Sequence, residues 1–206
     1  FFSDMAKQVY SSEGVPHATA LPSTLKGFTN AKARMQLLGA PKGVYNAVVE
    51  PLTEAALVEG LKGLFQSSEK IAEQYESGYM GLAGGCKFAS SASVSKHTIG
   101  AVDGSPQVKT TISAQGATSV AIDTITTASI TGAYKAGDVV TFGSVFAVNP
   151  ITRQSTGQLA QFVVQADANA SSNEATISIL PAMYSTGPLQ NVDSLPQDNA
   201  LVKVFG

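Results

Sequence analysis

From Gly78 onward the chain consists of short apolar runs, cut apart by glycine, asparagine, aspartate and proline. Val108 to Ile112, Val120 to Ile125, Val139 to Phe142, Val145 to Val148, Phe162 to Val164, Ala175 to Leu180 and Leu201 to Phe205 read as strands. Their period of two buries one face of a sheet, and the punctuating residues supply turns. Residues 78–206 carry only 13 charged side chains over 129 positions and are rich in Thr, Ser, Ala, Val and Gly. Seven short strands with little helix between them predict a small barrel or sandwich. No strict internal repeat is present.

The first 77 residues differ, with 15 charged side chains. A helix is expected to end near Glu13, at Gly14 and Pro16. Leu25, Phe28, Met35 and Leu38 share one face of a second helix, capped by Ser23 or Thr24 and ended by Gly39 and Pro41. Val44 to Val49 reads as a strand closed by Pro51. Thr53 is expected to cap a third helix that buries Leu57, Leu61, Leu64 and Phe65, and a shorter helix follows around Glu69 to Glu76. The fold class is therefore α+β.

Composition narrows the function. At 44% hydrophobic the chain can bury a core, and a net charge of -2 gives no general reason to bind nucleic acid or membrane. No apolar run approaches the roughly 18 residues of a membrane span. One cysteine, Cys86, excludes an internal disulfide and fits a reducing compartment. The start, Phe1-Phe2-Ser3, has no basic region before an apolar core and reads as no signal peptide. With an end inside a strand, it suggests an internal fragment of a longer protein.

No catalytic, cofactor or metal site is expected. His17, His97 and Cys86 are too few and too far apart for a structural zinc site. Gly78 to Gly85 superficially resembles a phosphate loop, but helix precedes it and strands follow, the reverse of the nucleotide fingerprint; it reads as turns at a domain boundary. Asp123, Asp138, Asp167 and Glu174 stand apart in sequence. Asp138 follows Gly137 in a turn where its side chain can accept from nearby backbone N–H groups. Asn169-Ala170-Ser171 fits a glycosylation pattern without a secretion signal beside it. Phe142, Phe146 and Phe162 have only Lys135 and Arg153 as cations between positions 110 and 202, so core packing fits them better than base stacking.

One hairpin is expected in this region. Val139 to Phe142 would pair with Val145 to Val148 across Gly143-Ser144, with Gly143 at the positive φ of a type II′ turn. On that basis Gly143→Val should damage folding more than Gly85→Val.

Three segments carry a family resemblance: "SKHTIGAVDGSPQV" (95–108), "YKAGDVVTFGSVFAVNPITRQSTGQLAQFVVQAD" (134–167) and "ATISILPAM" (175–183). The markers are His-Thr-x-Gly at His97–Gly100, Lys-x-Gly-Asp at Lys135–Asp138, Gly-x-x-Phe-x-Val-Asn-Pro at Gly143–Pro150, Thr-Gly-x-Leu-x-x-Phe-x-Val at Thr156–Val164, and the Ile-Ser-Ile-Leu-Pro strand. In this order they resemble the major coat protein of short-tailed double-stranded DNA bacteriophages, in the subfamily with an inserted β-barrel domain. The resemblance covers about Val44 to Gly206. The family's N-terminal arm, extended loop and C-terminal capsid-core segment have no counterpart here.

The resemblance implies residues 1–94 as a capsid-core segment, including the end of a spine helix, and 95–206 as the inserted barrel. It also implies a structural, non-enzymatic subunit that forms pentamers and hexamers and contacts scaffolding protein and a portal. Such a subunit would meet packaged DNA only weakly, use no cofactor, metal or membrane, assemble in the bacterial host cytoplasm and reside in the virion capsid. A β-rich binding module, such as a fibre, decoration or carbohydrate-binding protein, is the alternative; the helical first 77 residues fit it poorly.

Overall fold

The computed structural model describes residues 24–61, 81–94 and 97–205. The helices expected before Glu13 and around Glu69 to Glu76, together with Ser23, Leu64, Phe65 and Gly78 to Met80, lie outside the described residues.

Helix α1, Lys26–Leu37, has Leu25 as its N-cap, with no side-chain cap; Thr24 does not fill that role. Its C-terminus is the expected glycine stop. Gly39 has φ +92, its N–H donates to Gln36 O (3.1 Å), and Ala40 N–H donates to Met35 O (3.0 Å). These paired bonds satisfy carbonyls that a helix end otherwise leaves open, at a backbone conformation glycine adopts without strain. Strand β1, Tyr45–Val49, follows.

Helix α2, Pro51–Leu61, begins at its proline, so Thr53 lies inside the first turn and is not the cap. Proline is pre-set for that first position. Two further strands, β2 (Leu82–Ala83) and β3 (Cys86–Ser90), complete a small sheet of order β1-β3-β2. β1 and β3 run parallel, which needs a long crossover, and α2 lies in it. Val49, Leu57, Ala83, Cys86 and Phe88 form the buried cluster of this layer, with Leu25 and Phe28 of the α1 end packed on it. The Phe28 and Phe88 rings meet edge-on at 5.1 Å.

The described end of the glycine-rich stretch forms a hairpin turn. Gly84 (φ +58) and Gly85 (φ +78) are the two residues that join β2 to β3. Two successive positive φ values are the type I′ geometry that suits a twisted hairpin.

Ten strands follow: β4 (Gly104–Val108), β5 (Ala117–Ile125), β6 (Ser129–Tyr134), β7 (Val139–Phe142), β8 (Phe146–Val148), β9 (Ser155–Leu159), β10 (Phe162–Val164), β11 (Ala168–Ser171), β12 (Ala175–Met183) and β13 (Val202–Phe205). Six make one antiparallel sheet of order β13-β7-β10-β12-β5-β4. Its outer strands then meet. Gln107 bridges Leu201, Val108 N–H donates to Ala200 O (2.9 Å), and Asn199 N–H donates to Val108 O (2.9 Å). The sheet thereby curls into a barrel whose edges are largely removed. Two ribbons, β6 with β11 and β8 with β9, complete the β region.

The barrel interior is filled by alternate residues: Val120 and Ile122 from β5, Val140 and Phe142 from β7, Phe162 and Val164 from β10, and Ile177 and Ile179 from β12. The Phe142 and Phe162 centroids are 5.5 Å apart. At Thr124 (φ 59) the alternation slips by one, which brings Ile125 inward.

The expected hairpin is not formed. β7 pairs with β10 on one side and β13 on the other, while β8 leaves the barrel to pair with β9. Both edges of β7 are occupied by distant strands, and its Val140, Thr141 and Phe142 are all buried. The turn at 143–144 therefore redirects the chain. Val145 N–H donates to Phe142 O (3.3 Å), and the positive φ belongs to Ser144 (φ 63), not to Gly143.

The glycine comparison reverses accordingly. A Cβ on Gly143 would meet Leu201 N at 3.2 Å in ordinary backbone geometry, whereas Gly85 sits at φ +78. Gly85→Ala should cost about 1 kcal/mol from the left-handed backbone alone, and Gly143→Ala less. Denaturant midpoints of the two variants check this ordering.

Candidate functional site

The polar side chains with the most developed geometry meet at the turn between β6 and β7. Asp138 is fully buried there. Its N–H closes the turn onto Lys135 O (3.0 Å), and its Oδ2 accepts from Lys135 N–H (2.8 Å). Gly137, at φ +98, gives the turn its shape. Two bonds anchor it to β10: Gly137 N–H to Val164 O and Val164 N–H to Asp138 O, both 2.8 Å. Asp167 Oδ1 accepts from Ala136 N–H (2.8 Å).

The same carboxylate reaches back to the segment before β4. His97 Nε2 lies 2.7 Å from Asp138 Oδ1, and Gly100 N–H donates to Oδ2 (3.1 Å) and Oδ1 (3.3 Å). The two motifs His97–Gly100 and Lys135–Asp138 are thus one structural unit. A buried carboxylate is costly unless hydrogen-bonded, and here one imidazole and two backbone N–H groups serve it. Ala101 N–H to Gly132 O and Val102 N–H to Ala133 O, both 3.0 Å, continue the contact.

Gly100 is required by closeness. A Cβ there would lie 2.2 Å from Ala133 O and 2.7 Å from Tyr134 Cα. Gly100→Ala should therefore displace backbone and cost about 1–3 kcal/mol, as overpacking does, with the melting midpoint as the readout. Tyr134, beside it, is fully buried and its hydroxyl meets no protein partner. Burial first, and the Asp138 charge second, push its pKa above the usual phenol value, so it stays neutral.

A carboxylate-oriented imidazole can also serve as a general base. Here the carboxylate's other bonds all go to backbone N–H groups, and the open cavity on the barrel's flank is lined by neither His97 nor Asp138. The arrangement ties loop to barrel.

A second junction joins α1 to the barrel. Arg34 Nη2 donates to Leu159 O (2.5 Å), and Asn149 Nδ2 donates to Leu37 O (2.7 Å). Leu38 packs on the barrel cluster. Beside it opens a cavity of about 210 Å³ walled mainly by apolar side chains.

The other residues singled out by sequence have structural places. Asp123 accepts from Thr124 Oγ1 (2.9 Å), Glu174 pairs with Lys109 (2.5 Å) on the surface, and Asn169 Oδ1 accepts from Gly132 N–H (2.7 Å). Phe142 and Phe162 are core residues, Phe146 is half-buried, and Cys86 is a buried thiol. His17 lies outside the described residues. Among the described residues, no three His, Cys, Asp or Glu side chains stand together to hold a metal. The His97–Asp138 contact was missed from sequence, although each partner lies in a marker motif; 41 positions separate them.

Polar groups are used here to close turns and fasten segments to a barrel. The chain belongs to the P22 coat protein family, described as "P22 coat protein - gene protein 5", which it matches over residues 8–205. It is a structural capsid protein that self-assembles and resides in the virion capsid. A similar solved structure is the CUS-3 coat protein I-domain, 26% identical, with 49% of this chain and 95% of that chain covered and a TM-score of 0.34. No curated protein matches the chain.

Proposed function

We propose that the chain is the major subunit of an icosahedral shell, arranged as pentamers and hexamers around a double-stranded DNA genome. The observation that carries this reading is the family match, which runs through the helical segment and the barrel alike. Residues 1–94 serve as a segment of the shell's core and 95–206 as the inserted barrel. The separate buried clusters of the two regions support that division. The subunit has no catalytic role in this reading: Asp138, His97 and Gly100 are engaged in holding the fold. Assembly takes place in the bacterial host cytoplasm with a scaffolding protein and a portal. A net charge of -2 suits a wall that meets packaged DNA only weakly.

Particles purified from host cells test this reading. They should contain this chain in large excess, protect double-stranded DNA from nuclease and carry a portal protein by mass spectrometry, with scaffolding protein in DNA-free precursors. Particles in which this chain is a minor component on a shell of another protein would overturn it.

A further inference from the structure

Beside the junction of α1 and the barrel, two apolar side chains are held out in water. Ile151, at the β8–β9 turn, is 80% exposed, and Leu189, in the loop after β12, is 65% exposed. Isolated exposed aliphatics are ordinary on protein surfaces. These two are presented on braced loops. Asn149 Oδ1 accepts from the N–H groups of Ile151 (2.9 Å) and Thr152 (3.1 Å), and Asn149 N–H donates to Gln154 O (2.9 Å). Arg153 donates through Nη1 to Gly187 O (2.9 Å) and through Nη2 to Pro188 O (2.8 Å), clasping the two loops together. An apolar side chain on a braced loop loses little freedom on burial, which is the property of an interface anchor.

The cavity begins one residue away. Pro150 forms part of its wall with Leu38, Val148, Phe162 and Val192, and Gln190 follows Leu189 at its lining. At about 210 Å³ it has room for an aliphatic side chain; a cavity of roughly 150 Å³ holds benzene. Ile151 and Leu189 therefore each stand next in sequence to a residue of the cavity's wall. In a two-fold contact a surface meets its own copy, so a patch with an adjacent knob and hole is complementary to itself. Charge permits this pairing. Arg153 is the one charged residue between positions 139 and 166, and there is none from 175 to 192. The Arg153 guanidinium keeps its charge but is held between Gly187 O and Pro188 O of its own chain, so each copy brings one fixed cation to the contact.

We propose that this patch is a contact between two copies of the chain, each inserting Ile151 into the other's cavity, with Leu189 closing the rim. The proposal rests on the capsid reading and adds where one of the copy-to-copy contacts lies.

The test uses the whole gene product. Ile151→Asp should leave the melting midpoint unchanged, because the side chain is exposed, and weaken self-association at least about tenfold by sedimentation and light scattering. In a second experiment, chains carrying Ile151→Cys are mixed with chains carrying Gln190→Cys and oxidised. A disulfide between the two kinds of chain is expected; Cys86 is buried and common to both. Wild-type association that survives Ile151→Asp, or a failure to form the mixed disulfide, would sink the contact alone. No association by the wild type would sink the capsid reading and the contact with it.

Discussion

Phe142→Ala and Phe162→Ala should each remove about 3–5 kcal/mol from the stability of the barrel, through lost burial and the cavity left behind. The two rings are essentially inaccessible to solvent, at 0% and 1% exposure, and stand 5.5 Å apart. They come from strands paired to one another, with Phe162 opposite Val140 and Phe142 opposite Val202. Each truncation therefore opens a void between β13, β7 and β10. A domain holds only about 5–15 kcal/mol in total, so either variant should be marginal at growth temperature and accumulate as aggregate instead of shells. Growth at low temperature should recover part of the soluble yield. Because the rings share one neighbourhood, the double variant should lose less than the sum of the two. Denaturant midpoint and soluble yield are the measurements, and wild-type values for both single variants would remove these rings from the core.

Asp138→Ala should also be strongly destabilising, because the Lys135 and Gly100 N–H groups lose a buried acceptor at about 1–3 kcal/mol each. Lys135 N–H and Gly100 N–H lose their acceptor, and so does the His97 ring. Asp138→Asn keeps one acceptor oxygen and should fall between wild type and alanine. His97→Ala should cost only about 1 kcal/mol, since the ring is 37% exposed and the carboxylate keeps its backbone donors. The predicted order of loss is Asp138→Ala, then Asp138→Asn, then His97→Ala. An equal loss for His97→Ala and Asp138→Ala would mean that the His97–Asp138 bond, and not the backbone donors, holds the junction.

The strands visible in sequence were those with an apolar run or a clear apolar alternation. Val139–Phe142 and Phe162–Val164 match their expected bounds because their apolar runs end at turns. The strand expected at Val108–Ile112 lies instead at Gly104–Val108, and β2 and β3 were not foreseen. β6, β9 and β11 were not seen either. Their Ser-, Thr-, Gly- and Asn-rich sequences belong to partly exposed ribbons, where the apolar alternation is weak. The 139–148 hairpin failed for a different reason. A local turn signal competed with two full ladders to β10 and β13, and pairing partners some 20 and 60 residues away leave no mark in a single sequence. The helix starts show the same limit: Thr24 and Thr53 are good caps by type, yet the helices begin beside Leu25 and at Pro51. At the junction, the turn role of Asp138 was legible from Gly137-Asp138, but its bonds to His97 and Gly100 required the fold.

The chain's polar chemistry builds a barrel, and its surfaces build a shell. Electron microscopy of the whole gene product, expressed and purified as particles, tests that claim most directly. Closed shells of uniform size, assembled from this chain, are the predicted result. A population that stays as dispersed subunits, or forms fibres, under conditions where the chain is folded would contradict it.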